Sequence, residues 1–406
     1  MKFFKSDKKM KILFTGGDSG GHVFPLVSVL KEMQKFLKDF NAKGMDLEFY
    51  YIGSNDFTLE YIKDQNINLY PLSMNRWKKS KNFFQNVLGI FVNFVSFVKA
   101  YIKMLLVMPD AIFAKGSFAS VMVLIIGIVF RIPIFVHESD AVPGFVNQIF
   151  GKFAKIVFIS FENSAKYFNN KNIELVGNPI DENLKQVLNA NYDIEELKKQ
   201  MGLDMERKVV LVLGGSQGAK TINNLILDVL PEALQKYQII HQVGDSNYED
   251  MRRQADVTVK EFLENRSDGK HYHLLPFLNH SITPAINSLA YAMMVSDIVV
   301  SRAGSGGIFE IAAFKKPSIL IPLPWASRHH QEINAFEFSK DGTAVSLEQA
   351  NLKPNILMDT IDSIVDNKDK MIKMQIGCEK FAKIDAGDKI ARSMLKAIIK
   401  QYSLNL

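Results

Sequence analysis

The sequence predicts an α/β protein of two similar doubly wound domains, each a parallel sheet with helices on both faces. Three observations predict it. Short apolar, β-branched runs alternate with longer helical patterns along most of the chain. One such run leads into a glycine cluster and a helix in each half, an internal echo. The 406 residues are more than a single core comfortably holds.

Strands are predicted at residues 11–14, 47–52, 111–114, 134–136 and 156–159, then at 209–213, 239–242, 273–275, 298–300 and 318–321. Most are continuously apolar rather than alternating, as strands buried on both faces are. Helical patterns such as 25–40, 221–234 and 281–295 supply right-handed crossovers between parallel strands. Gly177-Asn178-Pro179 follows a short strand and marks the domain break. The expected domains are 1–178 and 179–380, followed by a helical segment, 381–406. No strand follows that segment, and the N-terminal domain is one surface it could pack back on.

Composition narrows the function classes. At 47% hydrophobic and 23% charged residues the chain is too apolar for disorder and too charged for a polytopic membrane protein. The single cysteine, Cys378, excludes an intramolecular disulfide framework and a cysteine zinc cluster. A net charge of +6 favours anionic partners: nucleotide, diphosphate or acidic lipid. No arginine-rich run or zinc-finger spacing speaks for nucleic acid, so none is expected. Residues 118–130 are apolar but shorter than the roughly 20 a spanning helix needs. Residues 83–108 are long enough, yet Gln85, Asn86, Asn93, Lys99 and Lys103 interrupt them. Neither is expected to span. Residues 1–10 carry no signal-peptide core, which fits a cytoplasmic protein.

The glycine clusters carry the first chemistry. Residues 11–14 lead into Gly16-Gly17-Asp18-Ser19-Gly20-Gly21 and then His22. Residues 209–213 lead into Gly214-Gly215-Ser216-Gln217-Gly218. Glycines let backbone approach a ligand, and the next helix offers unpaired N–H groups and a positive dipole end. Diphosphates suit such a place, in a crevice beyond the carboxyl ends of the strands. Neither loop is a P-loop or a dinucleotide fingerprint.

His22, after the first loop, is a candidate base near neutral pH; the plain alternative is a packing or capping histidine. His137-Glu138-Ser139-Asp140 ends a strand, where Glu138 and Asp140 are candidate catalytic carboxylates and a solvated loop is the alternative. Ser301-Arg302-Ala303-Gly304-Ser305-Gly306-Gly307 forms a third glycine turn. Glu310 follows it, placed to accept two ribose hydroxyls or merely to complement the helix dipole. Gln331 and Asn334 share a helix face and suit sugar hydroxyls. The adjacent His329 and His330 diverge on a helix, and no third ligand is placed, so no metal site is expected. Trp77, Lys78, Lys79, Lys81, Phe83, Phe84, Val87 and Leu88 combine aromatic and cationic character, as a membrane-surface patch does.

On these residues the chain resembles the UDP-N-acetylglucosamine–N-acetylmuramyl-(pentapeptide) pyrophosphoryl-undecaprenol N-acetylglucosaminyltransferases, the MurG family. The match runs through Gly16–His22, Lys115-Gly116-Ser117, His137–Asp140 with Pro143-Gly144, and Gly177-Asn178-Pro179. It continues through Gly214–Ala219 with Asn223, Pro276-Phe277-Leu278, Ser301–Gly304 with Glu310, and His330-Gln331 with Asn334. The resemblance implies a GT-B fold, two Rossmann-like domains facing a cleft. It implies inverting transfer of N-acetylglucosamine from UDP-GlcNAc to lipid I, an undecaprenyl-diphosphate-linked acceptor, giving lipid II for peptidoglycan.

By the same resemblance Ser216, Gln217, Gly218, Asn223, Ser305 and Gly306 belong to the donor site. The backbone at Leu278 meets uracil, Glu310 holds the ribose, and Gln331 and Asn334 read the sugar. Ser19, Gly20, Gly21 and His22 line the acceptor side with Glu138 and Asp140, and Ser19, Gly20, Gly21 and Asp140 are expected donor-binding residues as well. Asp181 departs from the pattern, standing where the family often has an arginine that helps bind donor. With no Asp-x-Asp motif, neither metal nor cofactor is expected, and loop N–H groups would carry the diphosphate charge. The enzyme would sit peripherally on the cytoplasmic membrane face, against an anionic surface. The alternatives are a GT-B enzyme for another lipid such as diacylglycerol, a silent UDP-sugar-binding module, and a UDP-sugar epimerase.

Overall fold

The most apolar runs of the sequence become the central strands of two parallel sheets. The structure is a computed structural model; it describes residues 9–17, 20–37, 46–54, 61–72, 83–215, 219–262, 266–280 and 285–404, without the side chains of 83–91, 266–268 and 401–404. The chain divides into two units, Met1–Ile180 with Asp385–Leu406, and Asp181–Ile384.

In the first unit the strands are β1 (Met10–Thr15), β2 (Leu47–Ser54), β3 (Asn68–Leu72), β4 (Ala111–Ala114), β5 (Ile134–Glu138), β6 (Ile156–Ile159) and β7 (Ile173–Leu175). They form a sheet ordered β3-β2-β1-β4-β5-β6-β7, and every pairing is parallel. Ile12, Leu13 and Phe14 of β1 are fully buried because helices cover both faces there. Exposure rises at the edges. β3 carries Pro71, whose missing N–H an edge strand tolerates.

The helix Gly20–Lys35 buries Val23, Leu26, Val29, Leu30 and Met33, the spacing of one apolar face. It begins earlier than a helix over 25–40 would, with Pro25 inside it. Its face meets the last helix, Ala386–Leu404, which buries Ile390, Met394, Leu395 and Ile398 in the same core. Ser393 Oγ donates to Glu174 Oε1 at 2.9 Å, and Lys155 Nζ donates to the Ala397 carbonyl at 3.2 Å. The C-terminal segment thus completes the unit that the N-terminus began.

The second unit contains β8 (Lys208–Leu213), β9 (Tyr237–Gln242), β10 (Tyr272–Leu275), β11 (Ile298–Ser301), β12 (Ser318–Leu320) and β13 (Val345–Ser346). Their order is β10-β9-β8-β11-β12-β13, again parallel throughout. The helix Lys220–Lys236 covers β8 with Ile222, Ile226, Leu230 and Ala233. Of the helix expected over 281–295, residues 281–284 lie outside the described residues. The described part forms a 3-10 turn, Ala285–Asn287, and a helix, Leu289–Val295. Ser288 caps that helix, its side chain accepting from the Tyr291 N–H.

In both units the first strand lies between the second strand and a later one: β1 between β2 and β4, β8 between β9 and β11. The winding reverses there, the place at the carboxyl ends of the strands where doubly wound sheets bind ligands. Each glycine cluster of the sequence begins at such a point.

Candidate active site

In the first unit β1 runs into Gly16 and Gly17, with φ of 155° and 135°. A Cβ on Gly16 would sit 3.2 Å from the Lys115 Cβ, tighter than ordinary contact, so glycine eases the close approach of β1 and β4 there. Tyr51 Oη donates to the Gly16 carbonyl at 2.8 Å and braces the turn from β2. Gly20 starts the helix buried, Gly21 is exposed, and His22 is half-buried in the first turn. Asp18 and Ser19, between turn and helix, lie outside the described residues.

Opposite this turn lies a buried polar cluster. Glu138, at the end of β5, is 3% exposed. Its Oε1 accepts from the Asp140 N–H at 2.9 Å; its Oε2 accepts from the Gly144 N–H at 3.0 Å and from Asn147 Nδ2 at 2.9 Å. The carboxylate therefore folds its own loop over itself. Burial pushes its pKa up to about 6, with Asp140 adding to the rise. Lys115, 1% exposed, donates its ammonium to Ser139 Oγ. Burial lowers that ammonium's pKa, and the charges of Glu138 and Asp140 oppose the fall. His137 is buried against Gly177, with Nε2 2.9 Å from that carbonyl. Burial and the neighbouring Lys115 hold it neutral. Its place is inside the fold. Asp140 is the partly exposed carboxylate of the loop.

Neither Lys115 nor Asn147 was among the expected site residues, though Lys115-Gly116-Ser117 was noted. Asn147 also occupies the space a side chain at Gly116 would need, with Oδ1 2.9 Å from that Cβ position. The signal was Gly116 itself, at φ 83°.

In the second unit β8 ends in Gly214 and Gly215, the latter at φ 79° with open space where its Cβ would be. Ser216, Gln217 and Gly218 lie outside the described residues. Asn223 is fully buried. Its Nδ2 donates to the Val243 carbonyl at 3.0 Å, and its Oδ1 lies 3.2 Å from His241 Nε2. Its amide ties the helix to the end of β9. Asn334 is also fully buried, donating to the Ala303 carbonyl at 3.2 Å. It shapes the third glycine turn from behind.

That turn follows β11. Gly304 caps the helix Ser305–Ala313, and Cβ atoms built on Gly304 or Gly306 would meet nothing within 4 Å. The helix start thus faces open space. Ser305 is 7% exposed at its first position. Arg302 turns away from it, donating to the Ile321 carbonyl at 3.0 Å. Glu310 is half-buried, its side chain 15% exposed, with its pKa raised, by desolvation first; His280 lowers it and Asp181 raises it. Gln331 Oε1 accepts from the Leu323 N–H at 3.0 Å, which leaves its NH2 donor and a second lone pair for a sugar. Leu278 is 2% exposed just after β10.

Asp181 has a structural task. Its side chain caps the helix Glu182–Asn189, accepting from the Asn183 N–H at 2.8 Å.

Of the expected membrane patch, Trp77, Lys78, Lys79 and Lys81 lie outside the described residues. Phe83, Phe84, Val87 and Leu88 begin the helix Phe83–Val107, and their side chains are outside the described set. Further along this helix Phe94 is 63% and Leu106 70% exposed, with Tyr101, Ile102 and Leu105 also exposed. Among the described residues no helix is long and apolar enough to cross a membrane, and no group of acidic, histidine or cysteine side chains could hold a metal.

Comparison with known proteins places both units. The description "Glycosyltransferase family 28 N-terminal domain" matches residues 12–159, and "Glycosyltransferase family 28 C-terminal domain" matches 209–388. A UDP-N-acetylglucosamine–N-acetylmuramyl-(pentapeptide) pyrophosphoryl-undecaprenol N-acetylglucosamine transferase of Bacillus thuringiensis (strain Al Hakam) is 32% identical over 88% of this chain and 92% of its own length. The equally named transferase of Clostridium perfringens is 32% identical over 90% of this chain and 93% of its own. Among solved structures, Acinetobacter baumannii MurG has a TM-score of 0.70 at 21% identity, covering 96% of this chain and all of that one. The UDP-GlcNAc 2-epimerase of Neisseria meningitidis has a TM-score of 0.64 at 15% identity, with the same coverage, and shares the fold.

Proposed function

This chain belongs to the UDP-N-acetylglucosamine–N-acetylmuramyl-(pentapeptide) pyrophosphoryl-undecaprenol N-acetylglucosamine transferases, GT-B enzymes of glycosyltransferase family 28, and we infer from that its reaction and the division of labour between its units. It transfers N-acetylglucosamine from UDP-GlcNAc to lipid I, giving lipid II. The observation that carries this reading is the relation to transferases so named, at 32% identity across both units.

In the chemical step the 4-hydroxyl of the muramoyl sugar attacks C1 of the donor sugar. The new C1–O4 bond forms as the bond from C1 to the diphosphate oxygen breaks, with inversion, and UDP leaves with the electron pair. His22 is our choice for the base that takes the hydroxyl proton. Its half-buried place at the first turn of a helix, beside an exposed Gly21, supports that role. Asp140 is the second choice, being the partly exposed carboxylate of its loop. Glu138, engaged by three donors, serves to set that loop.

The leaving diphosphate needs positive potential. We assign this to the turn from Gly214 to Gly218, with the helix Lys220–Lys236 behind it and no metal or cofactor required. Glu310 holds the ribose hydroxyls, the backbone at Leu278 meets uracil, and Gln331 offers its NH2 group to the sugar.

The acceptor's polyprenyl tail stays in a bilayer, so the first unit works at a membrane surface, on the cytoplasmic face and without a span. The exposed side chains Phe94, Tyr101, Ile102, Leu105 and Leu106 support this, with Lys99 exposed beside them. Labelled UDP-GlcNAc offered with a short-chain lipid I analogue or with diacylglycerol tests the assignment. Label should pass to the lipid I analogue alone; transfer to diacylglycerol alone would move the enzyme to another lipid class.

A further inference from the structure

Beside the third glycine turn, three ionisable side chains from distant parts of the second unit meet in a row. Asp181 Oδ2 is 3.6 Å from His280 Nδ1, and His280 Nε2 is 3.9 Å from Glu310 Oε1. All three side chains are only 12–15% exposed. The backbone that carries the imidazole is tied down: Asn183 Nδ2 donates to the His280 carbonyl at 2.8 Å. Asn183 is also the residue whose N–H is capped by Asp181 Oδ1. One short segment thus fixes both the histidine and the carboxylate behind it.

A carboxylate accepts from two ribose hydroxyls most strongly when ionised, with both oxygens acceptors and the bonds charge-assisted. Burial works against this form, and so does the negative charge of Asp181. His280 is the neighbour that works for it. The imidazole lies within ion-pair distance of a carboxylate at each nitrogen, and in its protonated form its charge favours ionisation of both.

We propose that His280 is a positioning residue of the donor site: held at its backbone by Asn183 and placed between Asp181 and Glu310, it keeps Glu310 charged, and so sets the selectivity for a ribonucleotide over its deoxy form. This rests on Glu310 holding the ribose. A bracing role for His280 would weaken every nucleotide alike. A positioning role acts on the hydroxyls alone.

The test is calorimetric binding of UDP and of 2′,3′-dideoxy-UDP to the full chain, compared as a ratio of dissociation constants. Hydrogen bonds to a charged group predict a wild-type preference for UDP on the order of 10- to 100-fold. Glu310→Gln should bring the ratio close to unity. His280→Ala should cut it by about 5-fold or more, with dideoxy-UDP affinity changed less than about 2-fold. His280→Gln, which keeps the bulk, should cut it too, and stands in should the alanine variant not fold. If both His280 variants keep the wild-type ratio while Glu310→Gln abolishes it, the proposal is wrong and the ribose assignment stands. Equal weakening of both nucleotides also overturns it. If Glu310→Gln keeps the ratio as well, the ribose assignment fails and takes the proposal with it.

Discussion

Asn147 donates its side-chain amide to Glu138 Oε2 at 2.9 Å, in the interior of the first unit. The same amide donates to the His137 carbonyl at 3.1 Å, so one side chain holds the end of β5 and the loop after it. Asn147→Ala leaves a buried carboxylate short of a donor. We expect a loss of about 1–3 kcal/mol in unfolding free energy by denaturant titration. A loss under about 0.5 kcal/mol would mean that the two backbone donors hold the loop without it.

The pH dependence of stability has a defined sign at Glu138. Its folded pKa, about 6, lies above the ordinary 4.5, so between these values the folded state binds more protons than the unfolded one. Its contribution to stability is present below the ordinary value and is lost as pH rises through the folded one. Glu138→Gln, which mimics the protonated form, should therefore gain on wild type as pH is raised across this window. Parallel stability curves for the two proteins would place the folded pKa near its ordinary value.

His22→Ala should bind UDP-GlcNAc with affinity close to wild type and lose turnover by about 10²- to 10⁴-fold. Calorimetry and a transfer assay read the two effects separately. Near-intact turnover would pass the base role to Asp140.

Removal of residues 385–406 strips Ile390, Met394, Leu395 and Ile398 from the core of the first unit. At about 1.5–3 kcal/mol per buried side chain, this is a large part of a domain's stability. The truncated chain should lose the cooperative unfolding of that unit, followed by calorimetry, while the second unit retains its own transition.

Leu105→Ser with Leu106→Ser should leave the unfolding temperature within a few degrees of wild type, because both side chains are already exposed. In liposome sedimentation the double variant should bind less, and binding of the wild type should rise with anionic lipid. Binding that ignores both would remove this helix face from the membrane contact.

Much of the fold was legible because parallel strands buried on both faces are continuous apolar runs. Residues 111–114, 134–136 and 298–300 are short apolar runs of this kind, and each forms a central strand. The edges were not: β3 contains Pro71 and a half-exposed pattern, and β13 is too short to show a period. Pro25 reads as a helix start, yet the helix absorbs it because the bond it forgoes falls near the N-terminal end.

At the site, the glycine turns and ionisable clusters were visible as residue types at strand ends. Their orientation was not. Glu138, Asn223 and Asn334 look alike in sequence as polar groups beside a ligand, and only packing shows their amides and carboxylate turned inward. His280 was invisible because its partners Asp181 and Glu310 are distant along the chain and meet it only through the fold.

The most direct test is the structure of the product formed from labelled UDP-GlcNAc and a short-chain lipid I analogue, with a chelator present. The account predicts a β-1,4-linked disaccharide on the acceptor, at a rate the chelator leaves unchanged, with no change to the donor when acceptor is omitted. Conversion of UDP-GlcNAc to its 2-epimer without acceptor, and no disaccharide, would contradict it.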